Sequence, residues 1–203
     1  MSDRARIVNV VLAGVGGQGS VLATRMLASA VRRAGFDVVT SEVHGMSQRG
    51  GTVTTTVRFG PGLLAPAITP GEADLLVAFE RLEAARHLPL LRPGGLALVN
   101  DQRITPSVDA LRLADYPVDI EALARARHVA IQLVPAFRLA IELNEPKLTS
   151  TVLLGALSNA LAFPVEAWRA AIAETSPAKY LDANVAAFEA GREWLVGSPA
   201  LSF

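Results

Sequence analysis

The sequence predicts an α/β fold, namely a three-layer α/β/α, Rossmann-like sheet domain with a helical C-terminal third. Two observations support this prediction. Short apolar, β-branched segments alternate with helical segments through about residue 134, which indicates a sheet covered by helices. From Pro135 onward the pattern is helical. Because 203 residues suit one ordinary domain, residues 1–203 are predicted to form a single domain.

The first half of the chain contains three predicted strands and one helix. Residues 7–13 (IVNVVLA) are an apolar run, as expected for a strand buried on both faces of a parallel sheet. The following helix has Ser20 as its candidate N-cap and Gly35 as its C-terminal stop. Strands are predicted at 37–43 and at 52–59 (TVTTTVRF), where the Thr/Val alternation indicates one more polar face.

The second half continues the alternation and then becomes helical. In chain order, the pattern predicts a strand at 73–79, a helix from Glu80 that Pro89 interrupts, a turn at 93–95, a strand at 96–100, a helix at 118–127 capped by Asp119, and a strand at 128–134. Four helical segments follow, with Pro135 and Pro164 suited to first-turn positions.

Composition excludes several classes of function. Hydrophobic residues make up 51% and charged residues 19%, so part of the apolar surface is expected to be covered by a partner. Lys+Arg and Asp+Glu both number 19, and without a basic excess we expect no nucleic-acid partner. We find neither a signal peptide nor an apolar segment long enough to span a bilayer. The prediction is a cytoplasmic protein with no membrane partner.

The chain has no cysteine, which rules out disulfides and any cysteine-ligated iron–sulfur cluster or zinc site within this polypeptide. Its three histidines, His44, His87 and His128, are too far apart in sequence to form a local metal-binding motif. The sequence therefore predicts no metal site in this chain.

A glycine-rich loop, GVGGQG at 14–19, follows the first strand and precedes the first helix. Gly14, Gly16 and Gly19 fit the G-x-G-x-x-G fingerprint, and the N–H groups at the helix N-terminus attract anions. Glu42 ends the second strand about 20 residues later, where an acid would meet a ribose hydroxyl. A stand-alone NAD(P)- or FAD-binding oxidoreductase is therefore one hypothesis.

A plain structural turn is an equal alternative for this loop. Buried strands often turn tightly into helices, and a lone glycine fingerprint has many false positives. The sequence also shows no convincing hydride-transfer set, because Tyr180 lies near the helical C-terminus. Both interpretations of the loop stay open on these grounds.

The segment SEVHGMSQRGG at 41–51 carries an unusual density of functional groups between two predicted strands. Together with GVGGQG it resembles, very closely, the gamma subunit or gamma domain of the 2-oxoacid:ferredoxin oxidoreductases. The likeness continues through TVTTTVRFG, LLVAFERLEAARHLPLLRPGGLALVN, VLLGAL and NVAAFEAGREW, and so spans most of the chain. One departure is that the family usually has an asparagine shortly before the LGAL segment, whereas this chain reads LTSTVLLGAL.

The resemblance implies a single gamma-type domain in a complex that oxidatively decarboxylates indolepyruvate or another aryl 2-oxoacid. Thiamine diphosphate, magnesium and iron–sulfur clusters are expected on a larger partner subunit, coenzyme A as cosubstrate and ferredoxin as acceptor. No cofactor is expected on this chain alone, which lacks both cysteine and a GDG-type thiamine motif. A third hypothesis is a purely structural assembly subunit.

The resemblance also places the two motifs at a cleft for substrate, coenzyme A or the partner subunit, with no catalytic residue assigned. The candidate residues are Gly14, Gly16, Gly17, Gln18, Gly19, Glu42, His44, Gly45, Met46, Ser47, Gln48, Arg49, Gly50 and Gly51.

Individual roles within this set have ordinary alternatives. Arg49 could bind a carboxylate or phosphate bidentately, or form a salt bridge to Glu42 or to a partner acid. His44 could move a proton or hydrogen-bond substrate, or order the loop through a backbone carbonyl. Met46 suits an apolar contact. Gln18 could contact the partner or a coenzyme A phosphate.

Overall fold

The computed structural model describes residues 6–45, 51–62, 65–104 and 119–195. Within these residues the chain forms a six-stranded sheet with the order β2-β3-β1-β4-β5-β6. Strands β1, β4, β5 and β6 are parallel, whereas β3 is antiparallel to both of its neighbours, β1 and β2. The predicted α/β class is confirmed, and the sheet is mixed.

The elements have the following bounds. The strands are β1 Val8–Val15, β2 Val38–His44, β3 Thr52–Phe59, β4 Ala73–Ala78, β5 Leu91–Asn100 and β6 Ala130–Val134. The helices are α1 Ser20–Arg33, α2 Arg81–His87, α3 Ile120–Ala126, α4 Ala136–Glu142, α5 Thr149–Ser158, α6 Val165–Thr175 and α7 Leu181–Trp194. Short 3-10 turns lie at Leu88–Leu90, Pro146–Leu148 and Ala178–Tyr180.

The sheet separates two apolar cores, as the three-layer prediction requires. Strand β1 contributes to both: Val10 and Leu12 face the larger core, and Val11 and Ala13 face the smaller one. Helices α1, α4, α5, α6 and α7 cover the larger core, and α2 and α3 cover the smaller one. The alternation of burial along β1 explains its unbroken apolar sequence, because each side chain has a hydrophobic layer to enter.

The mixed sheet corrects the expectation of a parallel environment for β1. This strand has a parallel neighbour in β4 and an antiparallel one in β3. Strand β3 shows the predicted polar face, since Val53, Thr55, Val57 and Phe59 are buried and the intervening residues are half-buried.

Several local predictions concern the ends of elements. Ser20 is not the cap of α1, because Gly19 takes the N-cap position and Ser20 is already helical and buried. The stop at Gly35 is confirmed: Gly35 has φ +85° and its N–H donates to the Arg32 carbonyl. Asp119 caps α3 as predicted, accepting from the Ala122 N–H at 2.7 Å.

Three prolines and one turn mark the remaining predicted boundaries of helices and strands. Pro89 ends α2 as predicted, since the chain continues as a 3-10 turn. Pro135 and Pro164 lie at N-cap positions, one residue before the predicted first turn. The predicted turn at 93–95 is a bulge inside β5, which begins at Leu91; the register with β4 shifts there, and Gly94 has φ +77°.

The helical C-terminal third packs onto the sheet through α5, whose residues from Ser150 to Ser158 are all buried. Trp168 and Phe188 are core residues with ring centroids 5.8 Å apart. The apolarity of these helices is therefore largely satisfied within the chain. No helix in the described part of the chain has the length and apolar character needed to cross a membrane.

Helices α5 and α7 approach so closely that two glycines are required at their crossing. A Cβ added to Gly155 would lie 2.0 Å from the Phe188 carbonyl oxygen, and one added to Gly191 would lie 1.9 Å from the Val152 carbonyl oxygen. Both obstacles are backbone atoms, so a side chain can be accommodated only if the two helices separate.

We therefore expect Gly155→Ala to destabilise the chain, although alanine is the better helix former by about 1 kcal/mol. Overpacking at the crossing should lower the free energy of unfolding by about 1–3 kcal/mol, measured by urea denaturation. Ala186→Ser on the exposed side of α7 is the control and should change stability by no more than about 0.5 kcal/mol. A higher stability for Gly155→Ala than for the wild type would contradict the close contact.

Candidate functional site

The carboxyl ends of β1 and β4 form the topological switch point of the sheet. Helix α1 leaves β1 toward the larger core, and α2 leaves β4 toward the smaller one. Because the two connections diverge, a crevice opens between the strand ends, which is where open α/β sheets bind ligands. The glycine loop after β1 lies at this edge.

The glycines of this loop are required for different structural reasons. A Cβ on Gly14 would lie 2.8 Å from Gln18 Oε1 and 3.0 Å from the Phe79 Cβ, so the first glycine permits close packing. Gly17 and Gly19 have φ of +97° and +82°, which favour glycine. Gly19 ends the loop as an N-cap with no side-chain hydrogen bond to the helix. The first turn of α1 is thus left without a side-chain cap.

Gln18 has an internal role that the sequence did not reveal. Its Oε1 accepts from the Val15 N–H at 2.6 Å, and its Nε2 donates to the Phe79 carbonyl at 3.5 Å. The side chain therefore joins the glycine loop to the end of β4. This arrangement accounts for Gln18 without a contact to a phosphate or to a partner.

A buried asparagine extends this connection to β5 and α4. Asn100 is fully buried, and its Nδ2 donates to the Phe79 carbonyl and to Gln102 Oε1, both at 3.0 Å. Its Oδ1 accepts from the Phe137 N–H at 3.1 Å. Asn100 was not predicted as a site residue, although a polar residue at the end of the apolar strand LALVN could have indicated it.

The second motif reaches the same edge through the β2–β3 hairpin. The Gly45 N–H donates to the Thr52 carbonyl at 2.8 Å, which closes the base of the hairpin loop. The Gly16 N–H donates to the Gly51 carbonyl at 3.0 Å, so the two glycine-containing loops are directly bonded. Five predicted site residues, Met46, Ser47, Gln48, Arg49 and Gly50, lie outside the described residues.

Glu42 and His44 lie on β2, one strand beyond β3. His44 Nε2 is 2.9 Å from Glu42 Oε1, and both side chains are substantially exposed. Since β3 separates β2 from β1, Glu42 is about two strand spacings, or ~10 Å, from the β1 strand end. In a dinucleotide-binding unit the acidic residue follows the strand adjacent to β1, so the ribose-binding interpretation of Glu42 is wrong for this geometry.

Helix α2 supports the foot of the hairpin loop with buried charged groups. Glu83 is 1% exposed, and its Oε1 accepts from Thr52 Oγ1 at 3.1 Å and from Arg86 Nη1 at 2.5 Å. Its other oxygen, Oε2, is buried and without a hydrogen-bond partner. Glu80, also buried, caps the helix by accepting from the Glu83 N–H. Both acidic residues at the start of this helix are therefore buried and not solvated.

His87 provides a second link between α2 and β3. Its Nδ1 is 2.8 Å from the Glu83 carbonyl, which can only accept, so Nδ1 carries the proton. Its Nε2 is hydrogen-bonded to Thr54 Oγ1 at 2.8 Å. Thr52 and Thr54, the first polar positions after the loop, are both held in place by α2.

A cavity of about 260 Å³ opens beside the glycine loop. It is lined by Gly17, Gln18, Phe79, Gln102, Ile104, Phe137, Pro146, Lys147 and Thr149. Lys147 is its cationic residue and has no salt bridge within the described part of the chain. A Cβ added to Gly19 would lie 2.8 Å from Ser150 Oγ, so the LTST segment packs directly against the glycine loop. No cluster of three or more metal-ligating side chains occurs among the described residues.

These features define a class, namely an open α/β subunit whose crevice is formed by a glycine turn and a hairpin loop at the switch point. The chain belongs to the pyruvate ferredoxin/flavodoxin oxidoreductase family, whose model matches residues 9–194. It is a small, gamma-type subunit of the 2-oxoacid:ferredoxin oxidoreductases, as the resemblance predicted.

Relatives and solved structures agree with this assignment. The indolepyruvate oxidoreductase subunit IorB of Thermococcus kodakarensis is 38% identical over 90% of this chain and 93% of its own length, and IorB of Archaeoglobus fulgidus is 36% identical over 91% and 93%. The gamma subunit of a keto/oxoacid ferredoxin oxidoreductase from Geobacter sulfurreducens shares the fold with a TM-score of 0.69, 21% identity and coverage of 94% and 99%. The 2-oxoglutarate:ferredoxin oxidoreductase of Magnetococcus marinus, solved with coenzyme A bound, gives 0.74 at 20% identity, with this chain matching 32% of that longer chain.

We expect Asn100→Ala to weaken the site edge and the fold together. The substitution removes the acceptor of the Phe137 N–H and one of the donors to the Phe79 carbonyl. This loss should lower the free energy of unfolding by about 2–3 kcal/mol. Asn159→Ala, which removes one hydrogen bond to the Arg192 carbonyl at a half-buried position, is the control and should cost about 1 kcal/mol. If urea denaturation gave equal losses of unfolding free energy for the two variants, the Asn100 hydrogen bonds would contribute no more than an ordinary half-buried one.

Proposed function

We propose that this chain is the small subunit of a thiamine-diphosphate-dependent 2-oxoacid:ferredoxin oxidoreductase that acts on indolepyruvate or another aryl pyruvate. In this reaction the carboxylate leaves as CO₂, the remaining acyl group forms a thioester with coenzyme A, and two electrons pass to ferredoxin. The names and 36–38% identities of the IorB relatives support the aryl substrate. The proposed unit is a single gamma-type domain over residues 1–203.

The chain's own residues support a division of labour with a larger subunit. Without cysteine the chain has no thiolate ligands for an iron–sulfur cluster. It also lacks a GDG-type motif for magnesium and thiamine diphosphate. Thiamine diphosphate, when bound on the larger subunit, supplies the nucleophilic carbon that attacks the keto group. This chain contributes a wall of the cleft and holds no cofactor alone.

The observation that carries this proposal is the bond between the Gly16 N–H and the Gly51 carbonyl. It brings the two motifs of the family resemblance to one crevice edge. The proposed cleft residues remain those predicted from the sequence at 14, 16–19, 42 and 44–51. Within them, Arg49 is proposed to bind an anionic group of substrate or cosubstrate.

The cavity beside the glycine loop is proposed to receive a phosphate of coenzyme A. The α1 N-terminus opens beside it without a side-chain cap, so its N–H groups and the helix dipole favour an anion. Lys147 lines the same cavity and is free of an acidic partner within the described residues. Thr149 also lines the rim, where its hydroxyl donates to the Pro146 carbonyl at 2.7 Å. The combination suits a phosphorylated cosubstrate better than an uncharged one.

The first prediction concerns the isolated chain. Purified alone, it should show no decarboxylation of indolepyruvate and no calorimetric binding of thiamine diphosphate, whereas addition of the larger subunit should give coenzyme A-dependent reduction of ferredoxin. The larger subunit alone is the control. Tight binding of NAD, NADP or FAD by the isolated chain would instead favour the stand-alone oxidoreductase, which the position of β3 disfavours.

The second prediction concerns Lys147. In the reconstituted complex, Lys147→Ala should raise KM for coenzyme A about tenfold, or ~1.4 kcal/mol, with little change in kcat, because a charge-assisted hydrogen bond to a phosphate is lost. Lys179→Ala, an exposed lysine over the Tyr180 ring, is the matched control and should leave KM unchanged. An unchanged KM for coenzyme A in Lys147→Ala would contradict the proposed phosphate site in this cavity.

If variants of the two loops altered only the stability of the complex and not its turnover, a purely structural subunit would be favoured.

A further inference from the structure

Strand β2 forms an outer edge of the sheet in the described part of the chain. Its bonding to β3 fixes which backbone groups are free. The Gly45 N–H donates to the Thr52 carbonyl, and the Gly60 N–H donates to the Asp37 carbonyl, so odd-numbered residues bond to β3. The N–H and C=O groups of the even-numbered residues Val38, Thr40, Glu42 and His44 therefore point away from the sheet.

This edge has little protection against pairing. Its sequence, VVTSEVH, has no lysine, arginine, proline or glycine, its acidic residue Glu42 is paired with His44, and its register with β3 runs without a bulge from Val38 to His44. Natural proteins usually block a regular edge of this length with such features. Val43 is 63% exposed, the largest exposure among the large apolar side chains of the described residues.

The edge is complementary to itself about a twofold axis through Ser41. In an antiparallel pair centred there, Thr40 faces Glu42 of a second copy, and Val38 faces His44. All four residues present their free backbone groups, so the ladder forms without leaving an outward N–H or C=O unused. Val39 faces Val43 of the second copy on the other side of the sheet, which covers the exposed valine.

Two arginines on α1 lie where they favour the same antiparallel pairing of β2 strands. Arg25 and Arg32 line a polar pocket of about 320 Å³ together with Val38 and Thr40 of β2, and neither guanidinium group has a hydrogen bond or salt bridge within the described residues. The pocket's acidic residue, Glu174, is already engaged by Ser29 Oγ at 2.5 Å and by Arg33 Nη2 at 3.0 Å. These hydrogen bonds, that of Ser29 first, hold the pKa of the Glu174 carboxyl below its usual range, so it stays ionised and paired.

We propose that two copies of this chain associate by antiparallel pairing of their β2 strands about Ser41, joining two six-stranded sheets into one. Glu42 of each copy lies opposite Thr40 of the other, on the face that carries Arg25 and Arg32. The two arginines of one copy then meet the carboxylate of the other. The interface is formed by the outer edge of the sheet and does not depend on the proposed reaction, although two of its residues, Glu42 and His44, also belong to the proposed cleft set.

The absence of native cysteine allows a direct test by cross-linking. In the proposed pair the two Ser41 Cα atoms are about 4.5 Å apart, within disulfide range, whereas the two Val39 Cα atoms are about 14 Å apart. Under mild oxidation of the full chain, Ser41→Cys should give at least about tenfold more disulfide-linked dimer than Val39→Cys. Equal yields of dimer from the two variants would overturn the proposed register.

A second measurement tests the backbone pairing without cysteine. Thr40→Pro removes an outward N–H and no bond to β3, so it should weaken the dimer at least about tenfold in sedimentation velocity. Thr40→Val keeps the N–H and should remain dimeric, and thermal unfolding checks that both variants fold. A monomeric wild type, or cross-linking of Ser41→Cys to the larger subunit in the reconstituted complex, would overturn the proposal in favour of a free edge or of that subunit as occupant.

Discussion

The insertion of antiparallel β3 between β1 and β2 determines most of what is distinctive about this chain. A simple β-α-β unit would place β2 beside β1, and its acid would lie next to the glycine loop. Here β3 occupies that place and pairs with β1 along its whole length from Val8 to Val15. As a consequence, the β2–β3 hairpin turns at the same edge as the glycine loop, and β2 becomes the outer strand. One change of strand order thus creates both the crevice wall and the exposed edge.

The crevice edge is held by polar groups, of which Asn100 and Glu83 are buried and Gln18 and His87 are half-buried. Gln18 and Asn100 converge on the Phe79 carbonyl, and Glu83 and His87 hold the threonines at the start of β3. The bonds of the two buried residues are costly to break, because each lost partner leaves a group that water cannot reach. The loops of the site therefore rest on a stiff base, which suits a subunit that must present a shaped surface to a neighbour. Glu83 Oε2 is the exception in this base, because among the described residues it has no hydrogen-bond partner and lies 3.8 Å from His87 Nδ1.

The sequence predicted the fold class because burial imposes a pattern on each element. The run IVNVVLA and the Thr/Val alternation of β3 follow directly from one or two covered faces. The order of the strands could not be predicted, since β2 and β3 carry no signal of which neighbour they choose. For the same reason the hypothesis of a ribose contact for Glu42 rested on sequence spacing alone, and the strand order does not support it. The roles of Gln18, Glu83 and Asn100 depend on contacts between residues 21 to 61 positions apart or on burial by other elements, and the local sequence indicates neither.

The joint between the two loops has a consequence for how such subunits can diversify. Gly16 and Gly51 meet through a main-chain N–H and a main-chain carbonyl, so the connection does not depend on any side chain. Several positions of the glycine loop are fixed for other reasons, since Gly14 is closely packed, Gly17 and Gly19 have positive φ, and Gln18 bonds to the Val15 N–H. The remaining loop positions can be exchanged one at a time while the joint keeps its geometry. The backbone bond thus separates the geometry of this edge from the side chains that the proposed cleft presents.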